Sequence, residues 1–167
     1  YPVLEELKDQ FIEKRPFDLS AVMRQTGDAM EPWIVEKNAK VSVDHTPGLQ
    51  PVGDSALVRE VLKNLVENGL KFSRATPPAV SVTTGRSDAG VEIRVADNGP
   101  GIPPEERAKV FEKFYQIDAS FTGQIEGWGL GLPFVKKVVE RLDGTVRLDP
   151  GPEGGTVVVV TLPAASK

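Results

Sequence analysis

Residues 54–73 read DSALVREVLKNLVENGLKFS, and the way this stretch winds decides the fold. At about 100° per residue, Val58, Val61, Leu62, Leu65, Val66 and Phe72 share one broad face of a helix. Glu60, Asn64, Glu67, Asn68 and Lys71 share the opposite arc. That arc has two readings: a solvated helix face, or a site. Asparagine is a poor helix former, about half a kcal/mol worse than Glu or Lys at a surface position. Two of them one turn apart, with a lysine three residues on, suit oxygen and phosphate chemistry. A carboxamide oxygen is a hard ligand that fits Mg²⁺ without adding charge. Lysine is a point charge for a phosphate. Gly69, in mid-helix, costs about 1 kcal/mol more and points to close approach by another part of the molecule.

Outward from this helix, elements of both kinds alternate without a regular βαβ rhythm. Upstream, VLEELKDQFI over 3–12 has helical spacing, and Pro16 breaks it. Asp18 is placed to cap a helix running through 18–39, with Pro32 as a disturbance. VSVDH at 41–45 alternates as a short strand. Downstream, 80–84 and 91–95 alternate as strands joined by a polar connection at 85–90. A helix is expected over 104–115, an irregular segment over 117–128 and a helix over 130–142. A closing strand pair is expected at 145–148 and 156–162, joined around DPGPEGG. The pattern favours an α+β fold, a two-layer sandwich of helices on a mixed sheet.

Composition narrows the chemistry. The chain has 167 residues, 40% apolar and 26% charged, with a net charge of −4 and no basic cluster. That balance gives no support for nucleic acid as a partner. With no cysteine and a single histidine, thiolate sites are excluded and a zinc centre is not expected. No apolar run approaches the roughly 18 residues of a membrane span. The chain begins at Tyr1 and is read as a piece of a longer protein.

Two glycine segments complete the pattern. DNGPGI at 97–102 follows a strand and on its own reads most simply as a turn. GWGLGL at 127–132 runs into an apolar-periodic helix. There, glycines would let backbone N–H groups meet an anion at a helix N-terminus; a packing role for them stays open. It is neither a Walker A loop nor a dinucleotide fingerprint.

In order, NLVENGLKFS, DNGPGI, FEKFYQ and GWGLGL resemble the N box, first glycine box, F box and second glycine box of one family. This is the catalytic and ATP-binding domain of bacterial sensor histidine kinases, in the superfamily with gyrase, MutL and heat-shock chaperone ATPases. The closing GGTVVVVTLP is similar as well, and the resemblance covers about 17–163. It implies a Bergerat-type fold with a flexible lid, ATP and Mg²⁺ as cofactors, and phosphoryl transfer. Asp97 would accept a hydrogen bond from the adenine amine, as an acceptor-only group selects a donor edge. Gly99 and Gly101 would admit the base, and Phe72 would lie against it. Asn68 would hold Mg²⁺ with Asn64 assisting, and Lys71 would reach phosphate oxygens. Gly127, Gly129 and Gly131 would wrap the phosphates, and Thr156 would sit near adenine through water. Ile102, Lys113, Phe114, Tyr115, Trp128, Leu130 and Leu132 complete the implied nucleotide contacts.

The resemblance also sets expectations about reaction and partners. Asn64 stands where hydrolytic members carry a water-activating glutamate, so transfer to a histidine is favoured over hydrolysis. The acceptor is expected on dimerisation helices upstream of this chain, with 1–16 as the connector and 17–167 as the catalytic domain. A response regulator would receive the phosphoryl group. The fragment itself is expected to be monomeric and cytoplasmic, or the cytoplasmic part of a membrane-bound sensor. His45, the only histidine, is expected to be structural or at the surface. Departures are Gly69 for the usual alanine, Trp128 at a position usually small or polar, and a lid at 117–126 without Lys or Arg. Charge compensation would then rest on Mg²⁺, Lys71, Lys113 and Arg74. Two alternatives stand beside this reading: a protein-serine kinase of the anti-sigma-factor type, and a degenerate pseudokinase that docks partners.

Overall fold

The computed structural model describes residues 12–72, 77–97, 125–151 and 155–165, and for 72, 125–131 and 133 the backbone alone. Asp18 accepts a hydrogen bond from the Ser20 N–H at 3.0 Å and opens helix α1 (Leu19–Glu36) as its N-cap. Pro32 lies inside that helix without ending it. The chain turns back at Asn38, in the left-handed region at φ 54°, a conformation asparagine tolerates after a helix. It then enters β2 (Lys40–Asp44). A two-residue strand, β1 (Arg15–Pro16), pairs antiparallel with β3 (Val52–Gly53). Just beyond, Asp54 accepts from the N–H groups of Ala56 and Leu57 and caps α2 (Ser55–Phe72).

The main sheet has the order β2–β4–β5–β7–β6. It comprises β2, β4 (Ala79–Ser87), β5 (Gly90–Asp97), β6 (Thr145–Pro150) and β7 (Thr156–Leu162). The β2–β4 ladder is parallel and the other three are antiparallel, so the sheet is mixed, as expected. Cross-strand partners share a face, which puts Val82 with Val95 and Val160 with Val146. On that face the sheet meets α2 through Val58, Val61, Leu62, Leu65, Val66 and Leu70, all buried. The third helix, α3 (Ile125–Arg141), adds Leu132, Val135, Val138 and Val139 to the same core.

The opposite face has no helix on it among the described residues, yet Val159 of β7 is 1% exposed. Its neighbours in register are Arg94 and Arg147. Each arginine is held by a carboxylate two residues away on its own strand, Glu92 at 2.8 Å and Asp149 at 3.2 Å. The apolar stems of long charged side chains cover such positions.

Both ends of the described chain converge on the segment before α2. Phe17 N–H bonds Pro51 O and Leu19 N–H bonds Leu49 O. From the other side, Val52 N–H bonds Pro163 O and Ala165 N–H bonds Gln50 O. Arg15 and Pro16, expected in the connector, thus pair with this domain, and Lys14 bonds Asp143 at 3.0 Å.

Two boundaries differ from the sequence expectation. The β4–β5 strands run on through most of the polar stretch expected as a loop, leaving only Asp88 and Ala89 between them. Antiparallel pairing of 85–87 with 90–92 continues the ladder through that stretch, which outweighs its weak strand propensity. Helix α3 begins at Ile125, five residues before its expected start at Leu130. Ile125 and Trp128 continue, three and four residues apart, the apolar spacing of Leu132, Val135, Val139 and Leu142. Of the helix expected over 3–12 all but Ile12 lies outside the described residues, as do the helix expected over 104–115 and positions 117–124 of the irregular segment expected over 117–128.

The hairpin turn depends on Gly90, at φ +141°, where an added Cβ would collide with the Leu162 carbonyl oxygen. Gly90→Ala is expected to cost about 2–4 kcal/mol in urea unfolding. Gly85→Ala, where a Cβ meets nothing within 4 Å, is the control and should stay within about 0.5 kcal/mol. Equal, small losses at both positions would contradict this turn.

Candidate functional site

The candidate site lies at the end of the sheet where β5 stops. Asp97 is its last residue and pairs with Val80. The β5–β7 ladder reaches Ala96 opposite Val157, so one further step sets Asp97 beside Thr156. The Thr156 N–H donates to Asp97 Oδ1 at 3.4 Å, a long hydrogen bond. Thr156 is buried and Asp97 half-buried. Val80, Asp97 and Thr156 therefore form a row on the face that meets the helices.

Helix α2 comes down on this row at Gly69. A Cβ there would lie 2.6 Å from Val80 Cγ2 and 3.6 Å from the Asp97 Cβ. The close approach that a mid-helix glycine implied is to the wall of the site itself. Asn68, the preceding residue, is 7% exposed, and its Nδ2 has no hydrogen-bond partner among the described residues. A buried donor left unpaired costs about 1–3 kcal/mol. The polar arc of α2 is thus not a solvated face at this position.

The other expected site residues are placed differently from one another. Asn64, one turn earlier, donates its Nδ2 to Glu60 O at 2.7 Å; its amide nitrogen is engaged by its own helix, which fixes the carboxamide plane. Lys71 is exposed in the last turn of α2. Leu132 belongs to the hydrophobic core at 1% exposure. Gly99, Gly101, Ile102, Lys113, Phe114, Tyr115 and Arg74 lie outside the described residues, as do the side chains of Phe72, Trp128 and Leu130. Gly127, Gly129 and Gly131 fall within α3 rather than ahead of it.

His45 is structural. Its Nε2 lies 2.7 Å from Ser20 Oγ and its Nδ1 2.7 Å from Thr84 Oγ1. Thr84 Oγ1 also accepts from the Thr46 N–H. Both ring nitrogens are engaged, and the imidazole ties the start of α1 to β4. Sequence reasoning missed Val80 as a wall of the site. Its role follows from hairpin register, which periodicity does not carry.

Chemically, the arrangement offers an acceptor-only carboxylate beside a helix that has no side chain at the contact, and a buried carboxamide one residue away. Among the described residues no group of three or more His, Cys, Asp or Glu could hold a metal ion. No helix among them is long and apolar enough to cross a membrane.

Residues 53–166 match the family described as histidine kinase-, DNA gyrase B-, and HSP90-like ATPase. The chain is 37% identical over 133 residues to the sensor-like histidine kinase SenX3 of Mycobacterium tuberculosis, covering 78% of this chain and 32% of that protein. It thus spans about a third of the length of such curated relatives. Among solved structures it is similar to a mycobacterial sensor histidine kinase, MprB, at 32% identity and a TM-score of 0.73, covering 92% of this chain and 99% of that one. Full-length ShkA in complex with AMPPNP gives a TM-score of 0.76 at 28% identity, with 95% of this chain and 32% of that chain covered.

Gly69→Ala tests the approach of α2. Alanine gains about 1 kcal/mol of helix propensity, but overpacking against a buried valine costs about 1–3 kcal/mol. The net expectation in wild-type background is a loss of stability. In a Val80→Ala background the same substitution should be neutral or stabilising, read by urea midpoints in a double-mutant cycle. Additive effects would separate Gly69 from Val80.

Proposed function

Because the chain belongs to the histidine kinase-, DNA gyrase B-, and HSP90-like ATPase family, we propose that it is the ATP-binding catalytic domain of a sensor histidine kinase. The observation that carries this reading is the junction of Asp97, Gly69 and Thr156, with the unpaired Asn68 amide one residue away. Asp97 accepts from the exocyclic amine of adenine. A carboxylate at this point favours adenine, which offers a donor there, over guanine, which offers an acceptor. Gly69 lets the backbone of the helix pack beside Asp97, a Cβ there lying 3.6 Å from the Asp97 Cβ, and so fixes the position of the carboxylate that meets the base edge. Thr156 orients the carboxylate from the opposite side through its backbone N–H.

The residues present fit Mg²⁺. This ion takes few protein ligands and completes its shell with phosphate oxygens and water, consistent with the lack of an acidic or histidine cluster in the described residues. Asn68 would hold it through its carboxamide oxygen, while the buried Nδ2, a donor with no partner among the described residues, would face a phosphate oxygen. When bound, the ion neutralises charge on the phosphate oxygens. Lys71, at the end of the same helix, reaches toward phosphate as a cation. Asn64 is no base: its side chain is an amide bonded to its own helix, so residue 64 does not activate water for hydrolysis. The γ-phosphoryl group then passes to the imidazole nitrogen of a histidine on the dimerisation helices of the same protein, the bond from phosphorus to the β-phosphate oxygen breaks, and ADP leaves. A response regulator takes the phosphoryl group in turn.

The first test is calorimetric titration with Mg-ATP and Mg-ADP. Asp97→Asn removes a charge-assisted hydrogen bond and should weaken both by about 10- to 100-fold. Asn68→Ala should leave ADP affinity in EDTA unchanged and abolish the gain that Mg²⁺ gives. Unaltered binding by Asp97→Asn would reject the adenine assignment.

His45 is not the acceptor, since both of its ring nitrogens are engaged. Incubation of this chain with Mg²⁺ and γ-labelled ATP should leave no acid-labile label on it; phosphohistidine at residue 45 would overturn that.

A further inference from the structure

The sheet has two edge strands, and they are not alike. In β6 the charges are already matched within the strand, Arg147 with Asp149 at 3.2 Å. The strand ends at Pro150, which has no N–H to offer. In β2, KVSVD, neither Lys40 nor Asp44 has an ion-pair partner among the described residues. Val43 of β2 is 57% exposed, one of two large hydrophobics so exposed among them.

The backbone of β2 shows which groups face outward. Lys40 N–H donates to Pro78 O at 2.8 Å, so the polar groups of residue 40 point inward to β4. By alternation, those of Ser42 and Asp44 do the same, while the N–H and C=O groups of Val41 and Val43 point out of the sheet edge. Side chains alternate in the other sense. Val41 packs against the core and Val43 follows it on the helix side. Lys40, Ser42 and Asp44 stand on the opposite face.

We propose that β2 is a homotypic docking edge, on which a second copy of this chain pairs antiparallel about a two-fold axis through Ser42. The sequence KVSVD is self-complementary under that operation. Lys40 falls opposite Asp44 of the second copy, and Asp44 opposite its Lys40. Val41 falls opposite Val43, in the position where both residues exchange hydrogen bonds. The outward-pointing backbone groups are the ones that this register pairs. Shifting the register by two residues breaks both charge matches. An exposed valine, two uncompensated charges and an open row of backbone groups are satisfied together by one symmetric contact.

A five-residue edge is far smaller than the roughly 1,200 Å² of a stable interface, so the contact is weak between free chains. It becomes populated when two chains are held together, at effective concentrations in the millimolar range. On this proposal the dilute chain is a monomer and the contact forms only at high local concentration. The proposal does not depend on the nucleotide reading, and its test uses no nucleotide.

The experiment is sedimentation equilibrium of the chain from about 10 µM to about 1 mM, with Lys40→Asp, Asp44→Lys and the double exchange. Circular dichroism serves as the fold control. Wild type should self-associate reversibly at the upper end. Each single substitution sets like charges opposite each other twice and should weaken association by about tenfold or more. The double exchange restores both pairs and should return to wild-type association. A wild-type chain that stays monomeric throughout would overturn the proposal, with the charges acting only to guard the edge. So would association that the single substitutions leave unchanged, or that the double exchange fails to restore.

Discussion

Helix α2 meets the end of the β4–β5 hairpin at residue 69, and with Val80 opposite, that contact is made without a side chain on the helix. The contact is a trade between two local costs. A glycine weakens the helix by about 1 kcal/mol, and in return the helix axis moves close enough for Val80 to occupy the volume of a missing methyl group. Everything at the site follows from that approach. It brings the polar arc of α2 to the strand end, sets Asp97 against helix backbone rather than solvent, and draws the Asn68 amide below the surface. A larger residue at 69 would have to displace the Val80 side chain, which lies 2.6 Å from where its Cβ would be.

Much of this was legible in the sequence, for a physical reason in each case. The apolar stripe of α2 has the helical period and so found its buried face. Asp18 precedes a helical run and caps it. Asp97 stands where an alternating run gives way to turn residues, which is where a strand end projects a side chain. Gly69 announced a close approach through its cost in mid-helix.

What the sequence hid has physical causes too. The partner of Gly69 is Val80, and that pairing depends on the register of a hairpin whose polar half does not alternate. The start of α3 was hidden by its own glycines. Their low propensity suggested a loop, while the apolar spacing of Leu132 and Val135 ran back unbroken to Ile125. His45 looked like a strand-end residue; that its two nitrogens bridge Ser20 and Thr84 is a tertiary fact no local pattern holds.

The strands around Leu49–Gly53 have a mechanical consequence. The segments 15–19 and 163–165 flank the same stretch of chain, one on either side, and both run antiparallel to it. They are therefore parallel to each other. Tension applied through the leading end of one and the trailing end of the other pulls them in opposite directions. The hydrogen bonds of both flanks are then loaded together, in shear, and not opened one by one. Asn68 lies roughly 20 Å along α2 from the helix start. The described fold is thus clasped at the end opposite Asn68, and pulling forces that enter through these two segments are borne there, away from the end of the sheet where Asp97 and Thr156 meet.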